Sequence, residues 1–322
     1  MILANTLAKI VFMGTPDFAV PSLEGLIEAG YEIAGVVTQP DRKKGRGQSL
    51  AFSPVKTAAL KNGLTVYQPE KVREDGFFET LCSLKPDVII VVAFGQLIPQ
   101  RILSLPRCGC INVHASLLPK YRGAAPIQHA LLDGEKETGV TIMQMGPGLD
   151  TGDIISCSVT EITSEDTGGS LFDRLAEDGA KLLVRTLPSI LDGTADRIPQ
   201  PEESPTPYAS MLTRQMGELD FSRPAPFLER LVRGMNPWPG AYTTLHGKTL
   251  KVYRSLVAEN VGDVKASPGS ILSTRGEGIL VSCGEGALSL VEIQLEGKKR
   301  MDARAFLRGY ELREGEKLGR EV

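Results

Sequence analysis

With 322 residues, of which 42% are hydrophobic, 23% charged and 6% aromatic, the chain has the make-up of an ordinary globular protein, which excludes disorder, collagen and coiled coil. At roughly 100–200 residues per domain the length favours two domains, and the longest purely apolar run, Val88 to Phe94, is far short of the roughly 20 residues of a membrane-spanning helix. The net charge of -3 divides unevenly: residues 1–208 hold 19 basic and 25 acidic side chains, residues 209–322 hold 17 and 14, so the second part is mildly basic and permits a polyanionic partner without demanding one.

Met1 to Lys9 carries no basic residue ahead of its short apolar stretch and no small-residue cleavage pattern, so a cytosolic protein is expected. Lys9 to Met13 is an apolar run ending at Gly14. Thr-Pro-Asp and a helical pattern (Phe18, Val20, Leu23, Leu26, Ile27) follow, which predicts strand, turn and helix, with Thr15 as the cap and Pro16 opening the helix. A dinucleotide-binding turn would need two further glycines here, so a nicotinamide cofactor is disfavoured.

Further strands are predicted at Ile33 to Thr38, Val88 to Phe94, Cys110 to His114 and Val140 to Met145, with helical segments between several of them. That alternation predicts an α/β domain, a mostly parallel sheet covered by helices, with the continuously apolar Val88 to Val92 at its centre. Leu171 to Leu191 reads as a helix that closes a first domain over residues 1–192. Residues 193–208, with four prolines, read as a linker to a second domain over 209–322. There Phe221 to Met235 looks helical, and the short runs Ala241–Leu245, Thr249–Tyr253, Gly278–Val281 and Ala287–Ile293 predict a small β barrel or sheet. The five cysteines (Cys82, Cys108, Cys110, Cys157, Cys283) match no disulfide framework and no paired zinc spacing. They are expected to be reduced and mostly buried, against a redox or metal role for Cys108-Gly-Cys110.

The stretch Ile111-Asn-Val-His-Ala-Ser-Leu-Leu-Pro-Lys-Tyr-Arg-Gly-Ala-Ala-Pro and the later Gly148-Leu-Asp-Thr-Gly-Asp carry the chemistry. On a strand, Asn112 and His114 leave the same face, near the carboxyl end where an open parallel sheet binds ligands. Asp150 follows another strand in a loop whose glycines let it fold towards the same crevice. Singly, each residue has an ordinary structural role: a turn cap, a core histidine, a turn former. An amide donor, an imidazole and a carboxylate at one sheet edge nevertheless form a candidate catalytic set.

At these residues the sequence resembles the folate-dependent formyltransferase family, in its branch acting on methionyl-tRNA. Asn112 and His114 fall on its Asn-x-His strand, Ser116 to Pro119 on its Ser-Leu-Leu-Pro segment, and Gly148 to Asp153 on its catalytic aspartate loop. The likeness extends to Met13-Gly-Thr-Pro-Asp-Phe-Ala, Thr38-Gln-Pro-Asp-Arg with Gly45-Arg-Gly, Ser53-Pro-Val-Lys, Val140-Thr-Ile-Met-Gln-Met, Asn236-Pro-Trp-Pro-Gly and Gly297-Lys-Lys-Arg-Met, nearly the whole chain. It implies a Rossmann-like mostly parallel formyltransferase domain followed by a small OB-like β barrel. The implied reaction moves a formyl group from 10-formyltetrahydrofolate to the α-amino group of methionine on initiator tRNA, without metal and with Asn112, His114 and Asp150 catalytic.

Phe94, Gly95, Gln96, Leu97 and Ile98, with Ser116, Leu117, Leu118 and Pro119, are the folate-binding residues so implied. Asp41-Arg-Lys-Lys-Gly-Arg-Gly-Gln reads as a flexible basic loop, and in the family such a loop meets the tRNA acceptor stem, which assigns Arg42, Lys43, Lys44 and Arg46 to tRNA. Lys248, Lys251, Lys298, Lys299 and Arg300 in the second domain are weaker phosphate-tracking candidates. Trp238, the only tryptophan, is read as fixing a packing corner between its prolines. The expected enzyme is a monomer. A relative acting on a sugar-nucleotide amine or hydrolysing the formylfolate is the nearest alternative, and a tRNA-binding protein with a relic site the third.

Overall fold

The computed structural model describes residues 8–44, 49–258 and 266–319. In chain order the strands of the first part are β1 (Lys9–Gly14), β2 (Glu32–Val37), β3 (Arg42–Lys44), β4 (Ser49–Ala51), β5 (Val66–Tyr67), β6 (Val88–Val92), β7 (Cys110–His114), β8 (Glu137–Gln144) and β9 (Ile154–Glu161). The helices are α1 (Val20–Glu28), α2 (Pro54–Lys61), α3 (Asp75–Leu84), α4 (Gln100–Leu103), α5 (Pro126–Asp133) and α6 (Gly168–Asp192). Then come α7 (Ala225–Gly234), β10 (Ala241–Leu245), β11 (Lys248–Val257), β12 (Ile271–Ser273), β13 (Ile279–Ser282), β14 (Ala287–Leu295), β15 (Met301–Asp302) and α8 (Ala303–Leu307). Met1–Pro126, Glu137–Glu161 and Phe172–Ala209 cluster as one unit, and Ile127–Lys136, Ile162–Leu171 and Ser210–Val322 as another.

The first unit is organised by a seven-stranded sheet in the order β5-β2-β1-β6-β7-β8-β9. Strands β5 to β7 of that order are parallel, while β8 and β9 are antiparallel. Every residue of β6, Val-Ile-Ile-Val-Val, is buried, because helices cover both faces of a parallel sheet. Each such side chain contributes about 1.5–3 kcal/mol of burial. The core on one side of the sheet gathers Val11, Met13, Val37, Phe77, Leu81, Ile89, Val91 and Phe94. Gly14 ends β1 where a Cβ would sit 2.8 Å from the Ala19 Cβ and 3.0 Å from the Val92 carbonyl oxygen. Close packing of strand against turn therefore accounts for this glycine.

The opening of α1 differs from the expectation. Asp17–Ala19 forms a 3-10 turn, and α1 starts only at Val20. Thr15 does not cap the helix: its hydroxyl donates to the Phe94 carbonyl at 3.2 Å and accepts from the Gln39 N–H at 3.3 Å. Within the basic stretch expected as a flexible loop, Arg42–Lys44 forms a strand that pairs with the following Ser49–Ala51, with Arg42 opposite Ala51 and Lys44 opposite Ser49. Residues 45–48, including Arg46, lie outside the described residues. Strand β9 had no strong sequence signal, because its Ile-Ile-Ser-Cys-Ser-Val-Thr-Glu is an edge strand with half of its side chains turned to water.

In the second unit, β10-β11-β14-β13-β12 form an antiparallel curled sheet, with β15 paired to β14. Alternation is plain in β10, whose Ala241, Thr243 and Leu245 point inward. Register shifts between Val252 and Ser255 let β11 bend against β14. Helix α7 buries Leu228, Leu231 and Val232 and packs on β11 and β14. The strand path ends at β10 and β12, and among the described residues no pairing joins those two ends into a barrel. Trp238 is 56% exposed, so the ring does not fill a packing corner. The neighbouring Asn236 carries the corner instead, accepting from the Gly169 N–H and donating its amide to the Tyr253 carbonyl.

No helix of the described residues is long and apolar enough to cross a membrane. Burial pushes the Cys110 thiol up to about 12 and the Cys283 thiol up to about 11. Cys108 is also raised by burial, whereas Cys82 and Cys157 are exposed. Alkylation of the native protein at pH 8, followed by mass spectrometry, should therefore modify Cys82 and Cys157 and spare Cys110 and Cys283 until the chain is denatured.

Candidate active site

Strand β7 places Asn112 and His114 on one face, both nearly buried. Because β6 runs parallel to β7 with Val91 opposite Asn112, the segment after β6 (Ala93 onward) emerges at the same edge as His114. The Asn112 carboxamide meets no hydrogen-bond partner among the described residues. His114 Nε2 lies 3.1 Å from the Tyr121 carbonyl oxygen. A carbonyl only accepts, so Nε2 carries the proton and donates. Nδ1 is left facing Asp150 Oδ1 at 3.8 Å.

Asp150 arrives from an unexpected direction. Since β8 is antiparallel to β7, Gln144 at its end lies opposite Ile111, at the start of β7, while His114 lies opposite Thr141. The loop after β8 must therefore run back by about 10 Å, three residues of strand rise, to bring Asp150 to the imidazole. Gly152 permits this course: a Cβ there would stand 1.8 Å from the Gln144 carbonyl oxygen. Asp150 itself has a φ of +52°, a conformation that aspartate tolerates better than most side chains. Its Oδ2 accepts from the Gly123 N–H at 3.0 Å. That bond leaves Oδ1 for the histidine.

Sequence reasoning missed the residues that hold this loop. Gln200 donates its amide to the Asp150 carbonyl at 3.0 Å and to the Gly152 carbonyl at 2.7 Å. The buried Arg122 in turn donates to Gln200 Oε1, the Pro201 carbonyl and the Glu202 carbonyl at 2.7–3.1 Å. Further along, Ser204 bonds the Pro119 carbonyl and Thr206 accepts from the Tyr121 N–H. Residues 200–206, read from their prolines as linker, thus act as a strap across the site. Nothing in local sequence marks Gln200, because its partners lie 48 and 50 positions away. Thr141 was likewise unmarked; its hydroxyl donates to the Ser116 carbonyl and accepts from the Leu118 N–H, fixing the turn after β7. Ala93, Tyr121 and Asp150 all have positive φ, which clusters backbone strain of about 1 kcal/mol or more per residue around one crevice.

The expected folate residues divide into two groups. Gly95 and Leu97 are exposed, Leu97 at 74%, and Gln96, Ile98, Leu117 and Pro119 are partly so. Gln96 anchors its segment by accepting from the Val72 N–H and donating to the Glu70 carbonyl. Phe94, Leu118 and Ser116 are buried: the Phe94 ring belongs to the core, and the Ser116 hydroxyl donates to the Lys120 carbonyl. The side chains of those three are withdrawn from solvent. Among the candidate phosphate contacts, Arg42, Lys248, Lys251, Lys298 and Lys299 are exposed. The side chains of Lys43 and Lys44 lie outside the described set, like Arg46. Arg300 is already engaged, donating to both carboxylate oxygens of Glu292 and stacking on Tyr253 at 4.1 Å. Arg300 is nonetheless exposed, with 48% of its side chain open to solvent, so this is a surface ion pair.

An α/β sheet with an uncommitted amide, a histidine of set tautomer and a carboxylate at its carboxyl edge is suited to acyl transfer. Residues 8–187 match the formyl transferase family and residues 211–311 its carboxy-terminal domain, and the chain belongs to this family. It is 53% identical to methionyl-tRNA formyltransferase of Agathobacter rectalis over 307 residues, 95% of this chain and 98% of the relative. Identity to methionyl-tRNA formyltransferase of Bacillus licheniformis is 48% over 316 residues, 98% and 99% of the two chains. Among solved structures, an N-formyltransferase from Helicobacter canadensis in complex with folinic acid and dTDP-3-aminofucose superimposes with a TM-score of 0.65 at 20% identity, covering 88% of this chain and 99% of that one. The sugar 3N-formyl transferase WlaRD gives 0.64 at 19% identity, with 91% and 99% covered. These structural likenesses establish the fold.

If the strap positions the Asp150 loop, Gln200→Ala should lower kcat by about 10–100-fold, as a misplacement of about 1 Å does. KM for the formyl donor should change little. Steady-state kinetics with varied donor checks this.

Proposed function

We propose that the chain transfers the formyl group of 10-formyltetrahydrofolate to the α-amino group of methionine esterified to initiator tRNA, for translation initiation. The observation that carries the reading is the free Asn112 carboxamide beside the His114–Asp150 pair, in a chain 53% identical to a methionyl-tRNA formyltransferase along nearly its full length. The formyl donor is a co-substrate, and no metal enters the reaction.

The neutral amine attacks the formyl carbon. A carbon–nitrogen bond forms and the carbonyl π pair moves onto oxygen. Asn112 supplies an N–H to that oxyanion, the group most in need of stabilisation. In its doubly protonated form His114 adds a second donor through Nδ1, the one ring nitrogen that the Tyr121 carbonyl leaves available. The ammonium then loses a proton and the departing folate nitrogen gains one, and Asp150, paired with His114, is placed to take and return it. The exposed Gly95 and Leu97 with the half-exposed Gln96, Ile98, Leu117 and Pro119 are proposed to hold the folate, backed by Phe94, Ser116 and Leu118. Arg42, Lys43, Lys44 and Arg46 are proposed to meet the acceptor stem. The curled carboxy-terminal sheet is proposed to serve as an OB-like platform whose Lys248, Lys298 and Lys299 track phosphates. Residues 1–192, 193–208 and 209–322 are proposed as catalytic domain, connecting strap and tRNA-binding domain. A cytosolic monomer is the form this reading favours.

Asn112→Ala should reduce kcat for charged initiator tRNA by about 10²–10³, or roughly 2.7–4 kcal/mol of transition-state stabilisation, with folded stability little changed. An assay comparing charged initiator tRNA with a free aminosugar nucleotide tests the acceptor; formylation of the nucleotide alone would overturn the proposal. Affinity for tRNA should fall as salt rises, with a logarithmic slope of about −0.7 to −0.9 per phosphate neutralised. Filter binding across a salt series measures that slope, and a flat line would remove the basic strands from the interface.

A further inference from the structure

The first strands carry an ion pair that the proposed chemistry does not use. Lys56, on the first turn of α2, has only 13% of its side chain exposed and donates to Asp41 Oδ2 and, at 2.7 Å, to Gln68 Oε1. The Phe52 ring lies under its ammonium at 4.0 Å. Gln68 donates at 2.9 Å to Asp41 Oδ1 and to the Gln39 carbonyl. Gln39 donates its own amide at 3.1 Å to the Phe94 carbonyl, which also accepts from Thr15. A continuous set of hydrogen bonds thus runs from the start of the segment 94–98 to Asp41, the residue immediately before β3. Both oxygens of the Asp41 carboxylate are engaged, and the bonds from Lys56 and Gln68 hold its carboxyl below the usual carboxylate range. The Asp41 carboxylate is therefore ionised near neutrality.

A buried ammonium is costly to desolvate and is retained where it specifies one arrangement. Here the arrangement is the entry of the chain into β3, which presents Arg42. We propose that Lys56 is a positioning residue for the tRNA acceptor: through Asp41 and Gln68 it holds β3 and β4 in a set relation to the segment 94–98. The inference rests on the function proposed above, with folate at 94–98 and tRNA on β3. Lys56 touches neither substrate in this scheme. Its removal therefore acts on the acceptor side and not on the chemical step.

The test is steady-state formylation by Lys56→Met, which keeps an apolar stem over Phe52 and removes the charge. KM for charged initiator tRNA should rise about tenfold, within the range over which a positioning network modulates binding. The donor KM, and kcat at saturating tRNA, should stay within about twofold, the scatter of independent sites. A tRNA KM within about twofold of wild type, or a loss of kcat with both KM values unchanged, would overturn the proposal. Asp41→Asn combined with Lys56→Met removes both charges and carries the same comparison should the single variant fail to fold. In this double variant a tRNA KM that remains raised while the melting midpoint recovers supports positioning. A KM that returns to wild type with the midpoint shows that an unpaired carboxylate was the only defect, and overturns it. Wild-type enzyme that leaves charged tRNA unformylated would instead overturn the functional reading itself, and the inference with it.

Discussion

The hydrogen bond from His114 Nε2–H to the Tyr121 carbonyl is the contact on which the site's chemistry turns. A histidine at the edge of a sheet has two ring nitrogens of similar basicity, and without a fixed partner either could carry the proton. The carbonyl settles the tautomer, because an acceptor on one side commits the proton to Nε2 and presents Nδ1 to Asp150. Tyr121, which presents that carbonyl, has a φ of +57° and is held in part by the bond from its N–H to Thr206. Backbone strain in the turn after β7 thus supports a particular protonation pattern in the crevice.

The same turn is fastened from several sides. Thr141 on β8 bonds it at Ser116 and Leu118, Ser204 at Pro119, and Gly123 passes an N–H to Asp150. Arg122 is buried and donates to two carbonyl oxygens and one amide oxygen, which fits a guanidinium used as a bracket more than as a counter-ion. Through Gln200 the bracket reaches the loop of Asp150. The long return of that loop, imposed by the antiparallel turn of β8, would be entropically costly if it were left unsupported. The strap supplies the support through Gln200, Ser204 and Thr206, while Pro201, Glu202, Glu203 and Pro205 stay exposed.

On the nucleic-acid side, charge alone is a poor guide to contact. Arg300 is paired with Glu292 and stacked on Tyr253 yet stays half exposed, whereas Lys56 is largely covered by Asp41, Gln68 and Phe52. Lys298 and Lys299, next to Arg300 in the chain, are exposed. A phosphate-tracking role suits the exposed charges, since release of counterions requires that a cation not already be neutralised by the protein.

A mostly parallel sheet with the continuously apolar β6 at its centre, several of the helices between its strands and the short strands of the second unit were legible in the sequence, because periodicity reports which face of an element is buried. So were Asn112 and His114 on one face of β7, since two residues apart on a strand is a local property. The expectations of a helix capped by Thr15 and of Trp238 fixing a packing corner failed where the environment is set remotely: Phe94 engages the threonine, and the Trp238 ring lies in open solvent. Only tertiary structure decided that β8 turns back against β7, that Asp150 returns to the imidazole, and that Gln200 and Arg122 hold it there. Those bonds join residues far apart along the chain, and a hydrogen bond between distant polar groups leaves no period or composition by which either end could announce the other.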